Sequence, residues 1–262
     1  GLFSVAPGKK VRFSQGNLQY TTVGSHACAD GTTKAGTWRF ADHQYDYMGN
    51  GNDSISSNYT GWIDLFGWGT SGYNECYPYL TTTDGSIYGP SGAYNLTGDS
   101  ANYDWGVYNA ISNGGNVAGK WRTLTKDEWE YLFRIRNNAT SKYGIAKITL
   151  LEGTYAVMYD IRGLVCLPDE WKTPLDCNFT PGLSAKNEYT SSQWAAMEKA
   201  GAVFLPLAGS RGNTNFLESV AGEYWSSTAY SSYAYYMTWA PIDISVKTTG
   251  RNSGLSVRLV CE

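Results

Sequence analysis

The chain has 262 residues, of which 16% are charged and 15% aromatic, and its formal net charge is −3. This length can bury a substantial core in one large or two small domains. The weak negative charge argues against nucleic acid or an anionic membrane as the main partner. No apolar run reaches the length of a membrane span.

The amino-terminal residues alternate between apolar and polar side chains, and the segment that follows has the composition of loops. Residues 2–20 predict two short strands around a turn at 15–17. From residue 24 to 119, Gly, Asn, Ser, Thr and Asp dominate, with a Trp or Tyr every few positions. Because each buried aromatic ring removes a large apolar area from water, we expect long ordered loops pinned by aromatics. The core of this loop-rich insertion lies at about 41–120.

Two helices can be predicted from their first residues. Thr125 and Glu128 have the spacing of a capping box, in which each side chain satisfies a free amide at the helix start. Behind them Trp129, Leu132, Phe133 and Arg136 share one face, and Glu130 is predicted to pair with Arg134 on the outside. The second helix is expected at about 193–200, with Ser191 or Ser192 as the cap, Trp194 and Met197 inward, and Gly201 as the stop. A buried strand is expected at 202–206.

The tail has the alternation of a strand meander. Tyr235, Met237 and Trp239 are predicted to point inward, while Tyr236 and Thr238 point outward. A turn at 240–241 then shifts the inward positions to Ile242, Ile244 and Val246. A second turn is expected at 251–254, followed by a closing strand. Few helices, short strands and long loops together indicate the α+β class.

The composition of residues 224–260 is typical of a binding surface. Tyr supplies contact area at low rotamer cost, and Ser and Thr supply adaptable hydrogen bonds. We therefore expect a ligand-binding protein.

Several motifs resemble a known family. Residues 121–131 (Trp-Arg-Thr-Leu-Thr-Lys-Asp-Glu-Trp-Glu-Tyr) resemble the Arg-Leu-Pro-Thr-x-x-Glu-Trp-Glu-Tyr signature of the formylglycine-generating-enzyme group, which has a C-type lectin fold. Together with motifs at 38–40, 64–69, 167–171, 202–209, 224–227 and 256–260, they resemble the C-type-lectin-fold variable proteins that diversity-generating retroelements rewrite in bacteria and phages.

The resemblance implies one C-type-lectin-like domain over 1–262, with two main helices, short antiparallel strands and a variable region at about 224–260. Members of the family bind macromolecular ligands, so a protein or cell-surface ligand is expected, at the bacterial surface, outside the cell or on a phage virion. In this family, retroelement copying changes adenines mostly in Asn codons of the AAC type, which cannot yield Gln, Glu, Lys, Met or Trp. Neither Gln nor Glu occurs between Ala229 and Leu255. Met237, Trp239 and Lys247 should be fixed by the template.

The resemblance also implies a set of diversified, ligand-binding positions. They are Tyr230, Ser231, Ser232, Tyr233, Tyr236, Thr238, Ala240, Asp243, Ser245, Thr248, Thr249, Asn252 and Ser253. The alternative is that these thirteen positions are ordinary solvent-facing residues without a role in binding. Tyr230, Tyr233 and Tyr236 are the expected centres of binding energy.

Catalysis is not expected. The oxidases of the signature group resemble one another in a pair of nearby carboxyl-terminal Cys residues, whereas only Cys261 lies beyond Cys177 here. Neither His26 nor His43 stands in a catalytic motif. The five cysteines form no Cys-x-x-Cys pair, so no metal or other cofactor is predicted. We expect buried free thiols, with a Cys166–Cys177 disulfide as the alternative.

Two other functions remain open at this stage. A carbohydrate-binding module of a secreted or surface protein would stack sugars on Trp62, Trp68 and Trp105, although the sequence favours a core position for these residues. A structural subunit of a surface fibre or virion would not depend on the tail face at all.

Overall fold

The computed structural model describes residues 1–152 and 157–262. The helices are α1 (Trp105–Tyr108), α2 (Lys126–Glu130) and α3 (Ser191–Lys199). The strands are β1 (Phe3–Ala6), β2 (Lys9–Phe13), β3 (Leu18–Ala27), β4 (Thr33–Phe40), β5 (Leu65–Phe66), β6 (Arg122–Thr123), β7 (Tyr143–Glu152), β8 (Val157–Cys166), β9 (Gly182–Thr190), β10 (Val203–Pro206), β11 (Ser210–Gly212), β12 (Asn215–Leu217), β13 (Gly222–Tyr230), β14 (Tyr233–Ala240), β15 (Asp243–Gly250), β16 (Leu255–Ser256) and β17 (Leu259–Cys261).

Three larger sheets and two two-stranded sheets, β3-β4 and β11-β12, organise the described residues. The tail forms a five-stranded sheet in the order β15-β14-β13-β16-β5, and a four-stranded sheet follows the order β10-β8-β7-β9. The two ends of the chain meet in the sheet β1-β2-β17-β6, where Val260 pairs with Phe13 and Cys261 with Arg12. The two terminal parts of the chain therefore share one sheet, and the fold is α+β with few helices.

Helix α2 begins where the sequence predicts. The Thr125 hydroxyl accepts from the Glu128 amide, and the Glu128 carboxylate accepts from the Thr125 amide. The helix continues as a π-helical turn at Tyr131–Ile135. The predicted Glu130–Arg134 pair is wrong: Arg134 reaches across to the Ile244 carbonyl at 2.8 Å. The wider π-helical turn carries Arg134 away from Glu130. The Glu130 carboxylate instead lies 3.5 Å from the Lys126 ammonium.

Helix α3 begins two residues earlier than expected. Its cap is Thr190, the last residue of β9, which forms a capping box with Gln193. The predicted Ser191 and Ser192 are therefore in the first turn. Trp194 and Met197 are buried, as predicted, and β10 behind the helix is buried throughout.

Aromatic residues pin the long loops to the tail sheet. The insertion at 41–120 holds only the short strand β5, helix α1 and a few single-turn helices among its regular elements. The Trp68 indole N–H donates to the Ser226 carbonyl at 2.8 Å, and the Trp225 indole N–H donates to the Phe66 carbonyl at 2.7 Å. The core beneath these loops contains Trp38, Trp68, Trp105 and Trp225.

Arg211 and Arg258 are among the buried arginines that have no carboxylate within ion-pair distance in the described part of the chain. Arg258 donates to the side-chain oxygens of Asn17 and Gln44 at 3.2 and 3.0 Å. Arg211 donates to the carbonyls of Leu65 and Leu80. Burial lowers the pKa of each guanidinium to about 10. The terminal nitrogens of both side chains donate to oxygen dipoles from separate loops, while the Arg258 Nε has no partner among the described residues.

All five cysteines lie among the described residues, and each is a free thiol. The Cys166–Cys177 alternative is therefore wrong. Cys28, Cys76, Cys166 and Cys177 are buried and Cys261 is half-buried. Of the described helices, none combines the length and the apolar character needed to cross a bilayer.

Candidate ligand-binding surface

Strands β13, β14 and β15 carry most of the predicted site residues. In this antiparallel meander Met237 faces Tyr224 on one side and Val246 on the other, while Trp239 faces Ile244. Opposed residues project from the same face of a sheet. Met237 and Trp239 are 1% and 2% exposed and pack in the main core, so this is the inner face. The inward prediction for them is confirmed.

The β13–β14 turn projects four predicted residues into solvent. We call this the hairpin tip: Tyr230, Ser231, Ser232 and Tyr233, all exposed. Tyr230 pairs with Tyr233 at the end of the ladder, and their side chains are 54% and 49% exposed. The Tyr230 ring also lies edge-on to Tyr235, with centroids 5.4 Å apart. The tip is therefore a small aromatic surface.

The outer face of β14 and β15 carries a second group of predicted residues. Tyr236, Thr238 and Ala240 alternate along β14, opposite Lys247, Ser245 and Asp243 of β15. Asp243 is exposed, while Ser245 and Ala240 are half-buried. The Ser245 hydroxyl donates to the Asp243 carboxylate at 2.6 Å. This face is polar and adjoins the hairpin tip.

Thr238 does not fit the prediction of an exposed position. Its side chain is only 6% exposed, and its neighbours across the ladders are Glu223 and Ser245. Burial raises the pKa of Glu223, and this rise is partly opposed by a hydrogen bond from Ser210 and by the charge of Lys247. Outward projection from a strand does not ensure exposure, because Thr238 lies on the central strand of this meander with a neighbour on each side.

Tyr236 is only half-buried and leans on the core. Its ring meets Trp225 edge-on at 6.3 Å, and burial raises the pKa of its hydroxyl. One edge of the ring is therefore anchored, in contrast to Tyr230 and Tyr233. Tyr236 is thus a candidate ligand contact whose side chain is already held on one edge by the core.

The remaining predicted residues surround the turn between β15 and β16. Thr248 is exposed, but it lies opposite Tyr235 and so belongs to the inner-face register. Thr249, Asn252 and Ser253 are half-buried, and the hydroxyls of Thr249 and Ser253 are 3.1 Å apart. The thirteen residues thus form a tip, an outer face and a turn, rather than one continuous plane.

The predicted inward position of Ile242 is wrong. Its side chain is 92% exposed, because residues 241–242 themselves form the tight turn between β14 and β15. Ile244 is buried and Val246 packs against the core, as predicted. Ala240 still belongs to the ladder, paired with Asp243. The change of parity therefore occurs one residue later than the sequence suggests.

Arg251 supports the tip and was not predicted. Its guanidinium lies 4.5 Å from the Trp68 ring centroid and donates to the Ser231 carbonyl at 2.8 Å and the Pro90 carbonyl at 2.6 Å. It also donates to the carbonyls of Tyr88, Gly92 and Tyr233. Burial lowers the pKa of Arg251. One side chain thus fixes the tip to the loop at 88–92.

The loop insertion adds two more supports that the tail sequence alone could not reveal. The Asn95 side-chain oxygen accepts from the Ala229 amide at 2.9 Å, and the Leu96 amide donates to the Ser227 carbonyl at 2.8 Å. Beside them Tyr94 is 68% exposed. From helix α2, the Lys126 ammonium lies 5.5 Å from the Tyr235 ring centroid.

The two histidines have local structural partners. The ring nitrogens of His26 lie 2.8 Å from the Gly36 carbonyl and from the Asn109 side-chain oxygen. His43 lies 3.0 Å from Asp46 and stacks on Tyr45. Among the described residues, neither histidine makes a contact with a cysteine thiol or a serine hydroxyl.

The predicted sugar platforms are not available for stacking. Trp68 and Trp105 are fully buried. Trp62 is half-buried, and the guanidinium of Arg39 covers its ring at 3.9 Å from the centroid. The core interpretation of Trp68 and Trp105 is therefore correct, because a sugar cannot reach either ring.

Comparison with known proteins identifies no relative: no protein-family model matches the chain, and no curated protein or solved structure matches it either. Function has to be argued from the residues and their arrangement.

Proposed function

We propose that this chain is a C-type-lectin-fold variable protein that displays its carboxyl-terminal tail to a protein or cell-surface ligand, without catalysis. The proposed setting is the bacterial surface, the extracellular space or a phage virion, with diversification of the tail by a retroelement. The motifs at 121–131 and 224–227 support the family, and the α+β architecture is compatible with it.

The observation that carries the proposal is the hairpin tip on its fixed support. Tyr230 and Tyr233 expose about half of their side chains, while β14 beneath them is anchored in the core by Met237 and Trp239. Tyr is enriched in loops that bind macromolecules, because a large amphipathic ring has few rotamers to lose. A support that is already ordered reduces the entropy lost on binding.

The polar outer face complements the tip. Around Tyr236, the hydroxyls of Ser245 and Thr249 offer neutral hydrogen bonds, with Asp243 and Lys247 as charges of opposite sign. This mixture suits a polar macromolecular surface better than an apolar one. The buried Thr238 stays outside the proposed contact.

The test is capture of a binding partner followed by calorimetry. Immobilised protein should retain a surface component of a host bacterium, whereas a Tyr230→Ala, Tyr233→Ala, Tyr236→Ala triple variant should not. Variants of Tyr45 and Tyr159, which lie outside the surface, serve as controls. Equal retention by wild type and triple variant would refute the site.

Two further observations separate the alternatives. A near-copy of the tail's coding segment that differs only at adenines, beside a reverse transcriptase gene, is expected if the family assignment is right. A glycan array tests the carbohydrate-binding module: saturable glycan binding that survives the tyrosine substitutions would favour the module over the proposal. A fibre or virion subunit should bind no partner through the tail.

A further inference from the structure

A groove of about 530 Å³ separates the tail sheet from the sheet β10-β8-β7-β9. Trp239 and Pro241 at the end of the β14–β15 hairpin form one wall, and residues of β7, β8 and β9 form the other. Small-molecule sites in proteins commonly enclose 300–1,000 Å³ (roughly). The groove lies at the opposite end of β14 from the hairpin tip, so it is a separate feature.

The lining of the groove is largely apolar. Ile145, Leu183 and Leu207 are only partly buried at the margin of the main core. Val220, which also lines the groove, is 81% exposed. These side chains leave apolar surface in contact with water, and an apolar ligand would remove it.

The groove wall also holds a donor without an acceptor. Trp239 is 2% exposed, and its indole N–H has no hydrogen-bond partner among the described residues. Buried donors in native proteins are rarely left unpaired. The indole nitrogen lies against Gly222 of β13, so this donor is packed within the tail sheet and the apolar part of the Trp239 ring is what the groove wall offers.

The charges at the rim are unequal. The Lys147 ammonium lies 3.1 Å from the Asp160 carboxylate and 3.4 Å from the Glu188 carboxylate, so these three groups together carry a net charge of −1. Arg162 and Lys186 also line the groove and are exposed. In the contacts of the described residues, neither takes part in an ion pair. The charged side chains of the lining thus sum to +1, and the Arg162 charge also helps to lower the pKa of Asp160.

We propose that this groove binds a small amphipathic carboxylate, with its apolar chain against Ile145, Leu183 and Leu207 and its carboxylate near Arg162 and Lys186. The apolar lining favours a hydrocarbon body over a sugar or nucleotide. The surplus of cations favours an anionic head group. This site is independent of the tip and of the ligand proposed for it.

Octanoate is a suitable probe, because it couples a short apolar chain to one carboxylate. In titration calorimetry, octanoate should bind saturably to the whole protein, while octan-1-ol, which lacks the charge, should bind less tightly. An Arg162→Gln, Lys186→Gln double variant should lose octanoate affinity by about tenfold or more. Lys199→Gln, on α3 at the other face of this sheet, should behave as wild type.

A second substitution guards against indirect effects. Val220→Asp places a negative charge at an exposed position of the lining, so it should weaken octanoate binding without unfolding the protein. Tyr230→Ala should leave octanoate binding unchanged, which keeps this test separate from that of the tip. Absence of saturable octanoate binding at millimolar concentrations, or equal binding by wild type and the double variant, would overturn the proposal.

Discussion

Tyr230 and Tyr233 face each other across the end of the β13–β14 ladder, each about half exposed. They are the last residue pair of this ladder, and the rest of the hairpin is held by the core on one side and by loops on the other. This arrangement separates the contribution of the tip to binding from its contribution to folding.

Substitution of the tip tyrosines should therefore affect binding and not stability. Tyr230→Ala and Tyr233→Ala should each weaken the affinity for a captured ligand by about 1–3 kcal/mol. Each should change the free energy of unfolding by less than about 0.5 kcal/mol, because exposed side chains contribute little. Calorimetry and urea denaturation measure the two effects. Loss of stability with unchanged affinity would contradict the assignment.

Thr238 should behave in the opposite way. Because its side chain is 6% exposed, Thr238→Tyr has no room and should destabilise the fold by about 1–3 kcal/mol. Thr248→Tyr is the matched control, since Thr248 is exposed on the neighbouring strand. Urea denaturation of both variants measures the difference. Equal stability would show that position 238 accepts large residues.

Loss of the Arg251 guanidinium should loosen the whole tip support. Arg251→Ala leaves several carbonyls without their donor, and we expect a loss of about 3 kcal/mol in the free energy of unfolding. Arg251→Lys should recover only part of this, because an ammonium cannot reproduce the planar fork. Arg12→Ala, at an exposed position of β2, is the control. A loss no greater than that of the control would refute this role.

The buried carboxyls of Asp64 and Asp104 should make the fold sensitive to pH. Burial raises the pKa of each to about 6 from 3.8, although amide and side-chain hydrogen bonds oppose the shift. The raised pKa favours the protonated folded state. The stability contributed by each group is therefore complete below pH 3.8 and is lost as pH rises through about 6.

Asp64→Asn tests this sign. From about pH 4 to about pH 7, the free energy of unfolding of the wild type should fall relative to that of the variant by up to about 3 kcal/mol. Asp99→Asn, which changes an exposed carboxyl, should follow the wild type. Urea denaturation across this pH range gives the comparison. Parallel curves for wild type and Asp64→Asn would contradict the prediction.

The thiols should differ in reactivity according to their burial. Burial raises the pKa of Cys76 to about 11 and that of Cys166 to about 12, and Cys28 and Cys177 are also buried. In the native protein we expect a disulfide reagent such as DTNB to modify Cys261 first and the other four only after unfolding. Cys261→Ser should abolish the fast phase. A fast phase that survives this substitution would place the reactive thiol elsewhere.

Local sequence signals predicted the local structure well. The Thr125 capping box, the buried face of α2 and the inward positions of Met237 and Trp239 depend on neighbouring residues and were predicted correctly. Two of the errors arose where a distant segment decides the outcome. Arg134 left Glu130 for the Ile244 carbonyl, and Thr238 became buried although it projects outward.

The candidate site was predictable only in part for the same reason. Alternation along β14 and β15 assigns faces, but it does not reveal that the loop at 88–96 packs beside the tip. The role of Arg251 requires carbonyls from sequence positions about 20 and 160 residues away, which no local pattern encodes. The exposed Ile242 shows that a tight turn can shift by one residue without a clear signal in the sequence.

The guanidinium groups of Arg211, Arg251 and Arg258 share one property: oriented oxygen dipoles, rather than carboxylates, surround them in the interior. Dissolved ions screen exposed ion pairs, but they do not enter a dry interior to screen a charge from its neighbouring carbonyls. The internal cohesion of the loops should consequently be nearly indifferent to ionic strength, even where surface pairs such as Lys147 with Glu188 are screened.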